Sequence, residues 1–175
     1  MATNSPKARK MRPGMVLIMA VLMLIPLGGA IDLTATGDIQ DWSLTPGSNN
    51  ENATMIKLVV SSTNSSWSVS VMDNLDTGKN SASAGRMLEY NSTTGWVSSG
   101  KILANNLTVI GESAEGISGS EALLGPIAFP IETGSLPASE KQMNITVRQP
   151  VLVTDPRLVN GNVYRVVITF IGGET

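Results

Sequence analysis

The chain has 175 residues, 12 Lys and Arg against 14 Asp and Glu, a formal charge of −2, no histidine and no cysteine. Lacking histidine, it lacks the side chain most used as a general base near neutral pH and as a metal ligand. Lacking cysteine, it has neither a disulfide framework nor thiolate chemistry, and its scattered basic residues do not form the cluster that phosphate binding wants, which argues against a nucleic-acid partner.

The first element is an export segment. Lys7, Arg9, Lys10 and Arg12, with no acidic residue among them, precede an apolar run of 13 residues from Met15 to Leu27. That length suits the core of a signal peptide and falls short of the roughly 20 residues a membrane-spanning helix needs. Pro26, Gly28 and Gly29 break the helix, and the small residues Gly28 and Ala30 predict a cut before Ile31. Two alternatives keep the run on the protein. One is an uncleaved N-terminal apolar anchor, the only route by which the chain would meet a membrane. The other is a pilin-type leader cut after Gly14, which leaves the apolar helix as an assembly element.

Residues 1–30 are therefore read as leader and 31–175 as one domain, with eight basic residues against all fourteen acids and a formal charge of −6. Its patterning is that of strands. Ile31-Asp32-Leu33-Thr34-Ala35 alternates apolar and polar residues. Ile31, Leu33 and Ala35 are accordingly candidate inserting side chains of a strand donated to a neighbouring subunit; the alternative is the first strand of the chain's own domain.

Further on, Ile56, Leu58 and Val60 share one face, as do Trp67, Val69 and Val71, and the polar link Ser62-Thr63-Asn64-Ser65 predicts a hairpin between them. Met143, Ile145 and Val147 form a third alternating run, and Tyr164, Val166, Ile168 and Phe170 a fourth. Weaker strands are expected over 41–44, 87–90, 96–98, 102–104, 107–110 and 127–131, with long loops over 73–85 and 111–125. No window after residue 30 carries a 3.6 period, and Gly and Pro recur at short intervals. The fold class expected is all-β, an antiparallel β-sandwich of about seven to ten short strands.

Five Asn-Xaa-Ser/Thr sequons, at Asn52, Asn64, Asn91, Asn106 and Asn144, are candidate N-glycosylation sites. Asp73-Asn74-Leu75-Asp76 loosely matches the start of a calcium loop, although Leu75 stands where an oxygen ligand is needed. Trp42 and Trp67 alternate with aliphatic residues and are expected in the core. Trp96 follows Thr94-Gly95 and is a candidate exposed aromatic for stacking on a glycan. No catalytic residue, cofactor or resident metal is expected.

Several stretches carry a resemblance: Trp42-Ser43-Leu44, Trp67-Ser68-Val69-Ser70-Val71, Gly85-Arg86-Met87, Leu103-Ala104-Asn105-Asn106-Leu107 and Gly161 to Phe170. Through them the chain resembles secreted β-sandwich surface proteins of methanogenic archaea. Trp42-Ser43-Leu44 is also similar to the Trp-x-Leu signature of surface domains that attach to cell walls. A looser similarity of architecture links both to strand-exchange subunits of biofilm fibres and bundling pili. Export, β-sandwich patterning and missing catalytic chemistry together point to a secreted, non-enzymatic, structural or adhesive cell-surface protein, a candidate fibre, sheath or matrix subunit whose expected partners are itself or other surface proteins. The alternative is an extracellular glycan- or calcium-binding module.

Overall fold

A computed structural model describes residues 16–23 and 31–174, apart from 74, 76, 77, 114–117, 136 and 160. Among the described residues twelve strands run in chain order: β1 Val16–Met23, β2 Ile31–Thr36, β3 Ser48–Ser62, β4 Trp67–Met72, β5 Arg86–Asn91, β6 Gly95–Trp96, β7 Ile102–Asn106, β8 Thr108–Ser113, β9 Ser118–Leu123, β10 Phe129–Gly134, β11 Ala138–Val151 and β12 Asn162–Glu174. One 3₁₀ turn, Ser81–Ser83, interrupts them. Seven strands form one sheet around β12, and five form a second in the order β2-β3-β11-β8-β9. The molecule is an antiparallel β-sandwich, with β1, which pairs parallel to β12, as its exception.

Alternation explains the interior. Ile31 and Leu33 of β2, Ile56, Leu58 and Val60 of β3, and Met143, Ile145 and Val147 of β11 face inward from the five-stranded sheet. Trp67, Val69 and Val71 of β4, Ile131 of β10, and Val166, Ile168 and Phe170 of β12 meet them from the other. Side chains at every second position of a strand lie on one face, so each run fills one side of a two-layer core.

The expected hairpin between the runs at 56–60 and 67–71 does not form. β3 pairs with β2 and β11, whereas β4 pairs with β10 and β12, so the two strands belong to opposite sheets. Their link crosses the sandwich. Both runs still turn their apolar faces inward, which is why alternation marks the right residues while misplacing the neighbour. The runs at 143–147 and 164–170 are likewise split between sheets, as β11 and β12, joined by a loop from Leu152 to Gly161. Gly161 there has φ +85°, the left-handed conformation glycine adopts without strain.

Three other expectations change. Residues 41–44 form no strand, although Trp42 is buried. The stretch 111–125 contains the outer strand β9, which pairs with β8. The apolar run at the N-terminus, expected as a helical leader core, supplies a strand over Val16–Met23 that pairs with Tyr164–Ile171. A Val-, Ile- and Leu-rich run suits a strand as well as a helix, and a partner strand is present here to receive its main-chain groups. The cut positions at Gly14 and Ala30 lie outside the described residues.

One arrangement positions the polar clusters described below. β1 occupies one flank of β12 from Tyr164 to Ile171. β5 pairs with Asn162–Arg165 and β4 with Thr169–Glu174, each overlapping that range. A strand has two flanks, so β4 and β5 lie end to end along the other one. The chain leaves the sheet after Met72 and returns to the same flank at Arg86.

Candidate functional site

The excursion from Asp73 to Gly85 is tied at its mouth by one carboxylate. Asp73 is fully buried, and its own N–H donates to the Gly125 carbonyl at 2.7 Å. Oδ2 accepts the Gly85 N–H at 2.7 Å and pairs with the Lys79 ammonium, while Oδ1 accepts the Leu75 N–H at 3.2 Å. The side chains of Asp73 and Lys79 are both shut off from solvent. Gly85 has φ +75°, and a Cβ there would stand 1.8 Å from the Leu124 carbonyl oxygen, so glycine is required where the loop rejoins the sheet.

These bonds change the meaning of the sequence pattern around Asp73. Its oxygens point into the protein and are engaged by main-chain donors and a lysine, which is the role of a brace and not of an open calcium ligand. Asp76 lies outside the described residues. Among the described residues no group of three or more His, Cys, Asp and Glu is placed to hold a metal ion.

Two more buried carboxylates do similar work. Glu89 of β5 accepts the Lys101 N–H at 2.9 Å through Oε2 and the Asn162 amide at 2.7 Å through Oε1, joining β5 to the start of β12. Burial alone would raise its pKa. Burial is the largest single influence, but the Asn162 hydrogen bond, the Lys101 N–H and the Lys101 charge together outweigh it and hold the carboxyl below its ordinary value of 4.5. Asp155 accepts Ala104 N–H at 2.9 Å and Leu152 N–H at 2.7 Å, fastening the β11–β12 loop to β7. Sequence reading passes over Asp155 and Glu89 because each is a lone acid whose partners arrive only on folding. The turn pair Asp155-Pro156 is the one local signal.

Trp96, expected as an exposed stacking surface, is half-buried at the end of β6. Tyr90 meets it edge-on with ring centroids 5.2 Å apart. The Arg165 guanidinium lies 5.3 Å from its centroid and 4.4 Å from that of Tyr90, and the Lys79 ammonium lies 5.6 Å from the indole. Cations at such distances are attracted to the ring's electron-rich face. Trp96 therefore links the excursion, through Lys79, to β12, through Arg165. Trp42 and Trp67 are buried as expected.

The sequons fall into distinct settings. The Asn91 amide donates to Asn162 Oδ1 at 2.7 Å, and the Asn106 amide to the Leu124 carbonyl at 2.8 Å. Those are the nitrogens a glycan would need. The Asn52 Oδ1 is out of solvent within β3. Asn144 sits in mid-strand on β11 between Lys57 of β3 and Glu112 of β8. Asn64 lies in the bend joining β3 to β4, beside a shallow polar depression lined by Thr63, Ser65, Ser66, Pro137 and Glu174.

Ile31, Leu33 and Ala35 stand in β2, paired with Ser62, Val60 and Leu58 of the chain's own β3. Ile31 and Leu33 are buried and Ala35 partly so. In this chain the segment is the outer strand of its own sheet.

Comparison with protein-family models and with curated proteins gives no match.

Proposed function

We propose that the chain is a secreted structural or adhesive cell-surface protein, serving as a subunit of an extracellular fibre, sheath or matrix. The observation that carries this is the use made of its buried acids. Asp73, Glu89 and Asp155 each accept main-chain N–H across loop junctions, so these three buried carboxylates are spent on holding the sandwich. Buried charge-assisted bonds of this kind supply the cross-bracing that disulfides give many exported domains. The basic, apolar and small-residue order of the N-terminus supports export.

Cell fractionation with intact-mass analysis, followed by negative-stain imaging of the purified protein, tests this. The expected result is surface material that begins at Ile31 and forms filaments, lattices or bundles. Protein recovered from the cell interior with residues 1–30 intact would overturn the reading.

A further inference from the structure

β12 is made as an interior strand. From Tyr164 to Phe170 every residue is buried, on both faces of the sheet, and the run is apolar apart from Arg165 and Thr169. Sequences of that kind belong to strands with both faces covered, a setting that exposed outer strands rarely have. An outer strand, by contrast, carries polar guards, as β2 does with exposed Asp32, Thr34 and Thr36. Yet β4 and β5 share one flank of β12, and along Tyr164–Ile171 the other is held by β1. β1 is the apolar run that a cut before Ile31 takes away.

We infer that Val16–Met23 is a removable cover, and that cutting before Ile31 opens the β12 flank to a second copy of this chain. The inference rests on the export reading above. Removing β1 strips a partner from the main-chain N–H and C=O groups of one flank, and an apolar strand in that state seeks another strand. Every cut copy presents the same flank. Antiparallel pairing of two β12 strands about a two-fold axis satisfies both through one contact and asks no other strand to leave its sheet. Arg165 is the only charged residue between Tyr164 and Ile171. A register centred between Val167 and Ile168 sets each Arg165 opposite the other copy's Phe170, so like charges do not meet.

The lack of cysteine makes the cover lockable. In the full chain, a specific protease site is placed within residues 24–30, and Val21→Cys is combined with Thr169→Cys at register partners. Met19→Cys with Val167→Cys serves as a second pair should the first fail to fold. Oxidised and cut, the protein is expected to stay monomeric in light scattering. Reduced, it should release the N-terminal peptide and form a dimer of defined mass. A reduced, cut chain that remains a folded monomer overturns the inference. So does a peptide that stays bound after reduction, or an oxidised chain that associates equally well. Native filaments seen alongside any of these results would leave the surface role standing and move the contact elsewhere.

Discussion

Gly134 of β10 lies opposite Trp67 of β4, and the indole fills the space where a Cβ would stand, 2.0 Å from Cε2. Trp67 is 1% exposed, and the Lys141 ammonium lies 5.2 Å from its ring centroid. Emptying a large buried aromatic site costs about 3–5 kcal/mol, so Trp67→Ala should lower the unfolding free energy by that amount in urea. Gly134→Ala should cost about 1–3 kcal/mol by overpacking. Half-buried Trp96 should lose less than Trp67 on the same change to alanine. Equal losses at 67 and 96 would contradict the difference in their burial.

Breaking a buried ion pair from one side leaves the other charge stranded, at about 3–5 kcal/mol. Asp73→Ala should therefore destabilise strongly, because Lys79 and the Gly85 N–H both lose their acceptor. Calcium added at millimolar concentration should leave the melting temperature of the unmodified protein unchanged. A marked upward shift would mean that Asp73 can turn outward.

The lowered pKa of Glu89 has a definite sign. The folded state binds its proton more weakly than the unfolded chain, so the stability it contributes is present above about pH 4.5 and is lost as the pH falls through the lowered folded value. Urea unfolding of the unmodified protein and of Glu89→Gln should differ most at neutral pH and converge in acid. A gap that stays constant with pH would sink the assignment.

Tyr164 acts at the other end of the scale. Burial, with the negative charges of Asp155 and Glu89 nearby, pushes its phenol upward from 10. The hydroxyl donates to the Pro156 carbonyl at 2.5 Å. A group whose folded pKa is raised stabilises fully below its unfolded value, so stability should fall as the pH climbs beyond about 10. Tyr164→Phe should lose about 1 kcal/mol at neutral pH and show a shallower alkaline decline, read by denaturant titration at about pH 8 and about pH 11.

In a host that glycosylates asparagine, peptide mapping should find the glycan on Asn64. Asn91 and Asn106 are expected unmodified, because their amide nitrogens are engaged in hydrogen bonds to Asn162 and Leu124. Full occupancy at Asn106 would imply that the tie between β7 and Leu124 forms after modification.

Alternation reads the inward faces well because a period of two is a property of the strand itself. It identifies Leu33, Leu58, Trp67 and Ile168 as core without any knowledge of pairing. Which strand lies alongside is a property of the whole fold, and that is where β3 and β4 part from the expected hairpin. β9 is hidden for a different reason. It is an outer strand that buries Ala122 and exposes Leu123, so its sequence shows little of the alternation a core strand needs. Asp73 stands out in the sequence, but its partners Lys79 and Gly85 meet it only once the excursion closes.

From Met72 to Leu88 the chain advances sixteen residues, yet the facing positions on β12 move only from Thr169 to Arg165. β4 and β5 are thus one line of sheet with a detour in the middle, and the detour's two ends are knotted together at Asp73. Length added between Lys79 and the 3₁₀ turn at Ser81 would be taken up outside the knot, leaving the alignment of both strands on β12 untouched. This makes the detour a mounting point, where a foreign peptide or a fluorescent tag can be carried on the sandwich without re-indexing it.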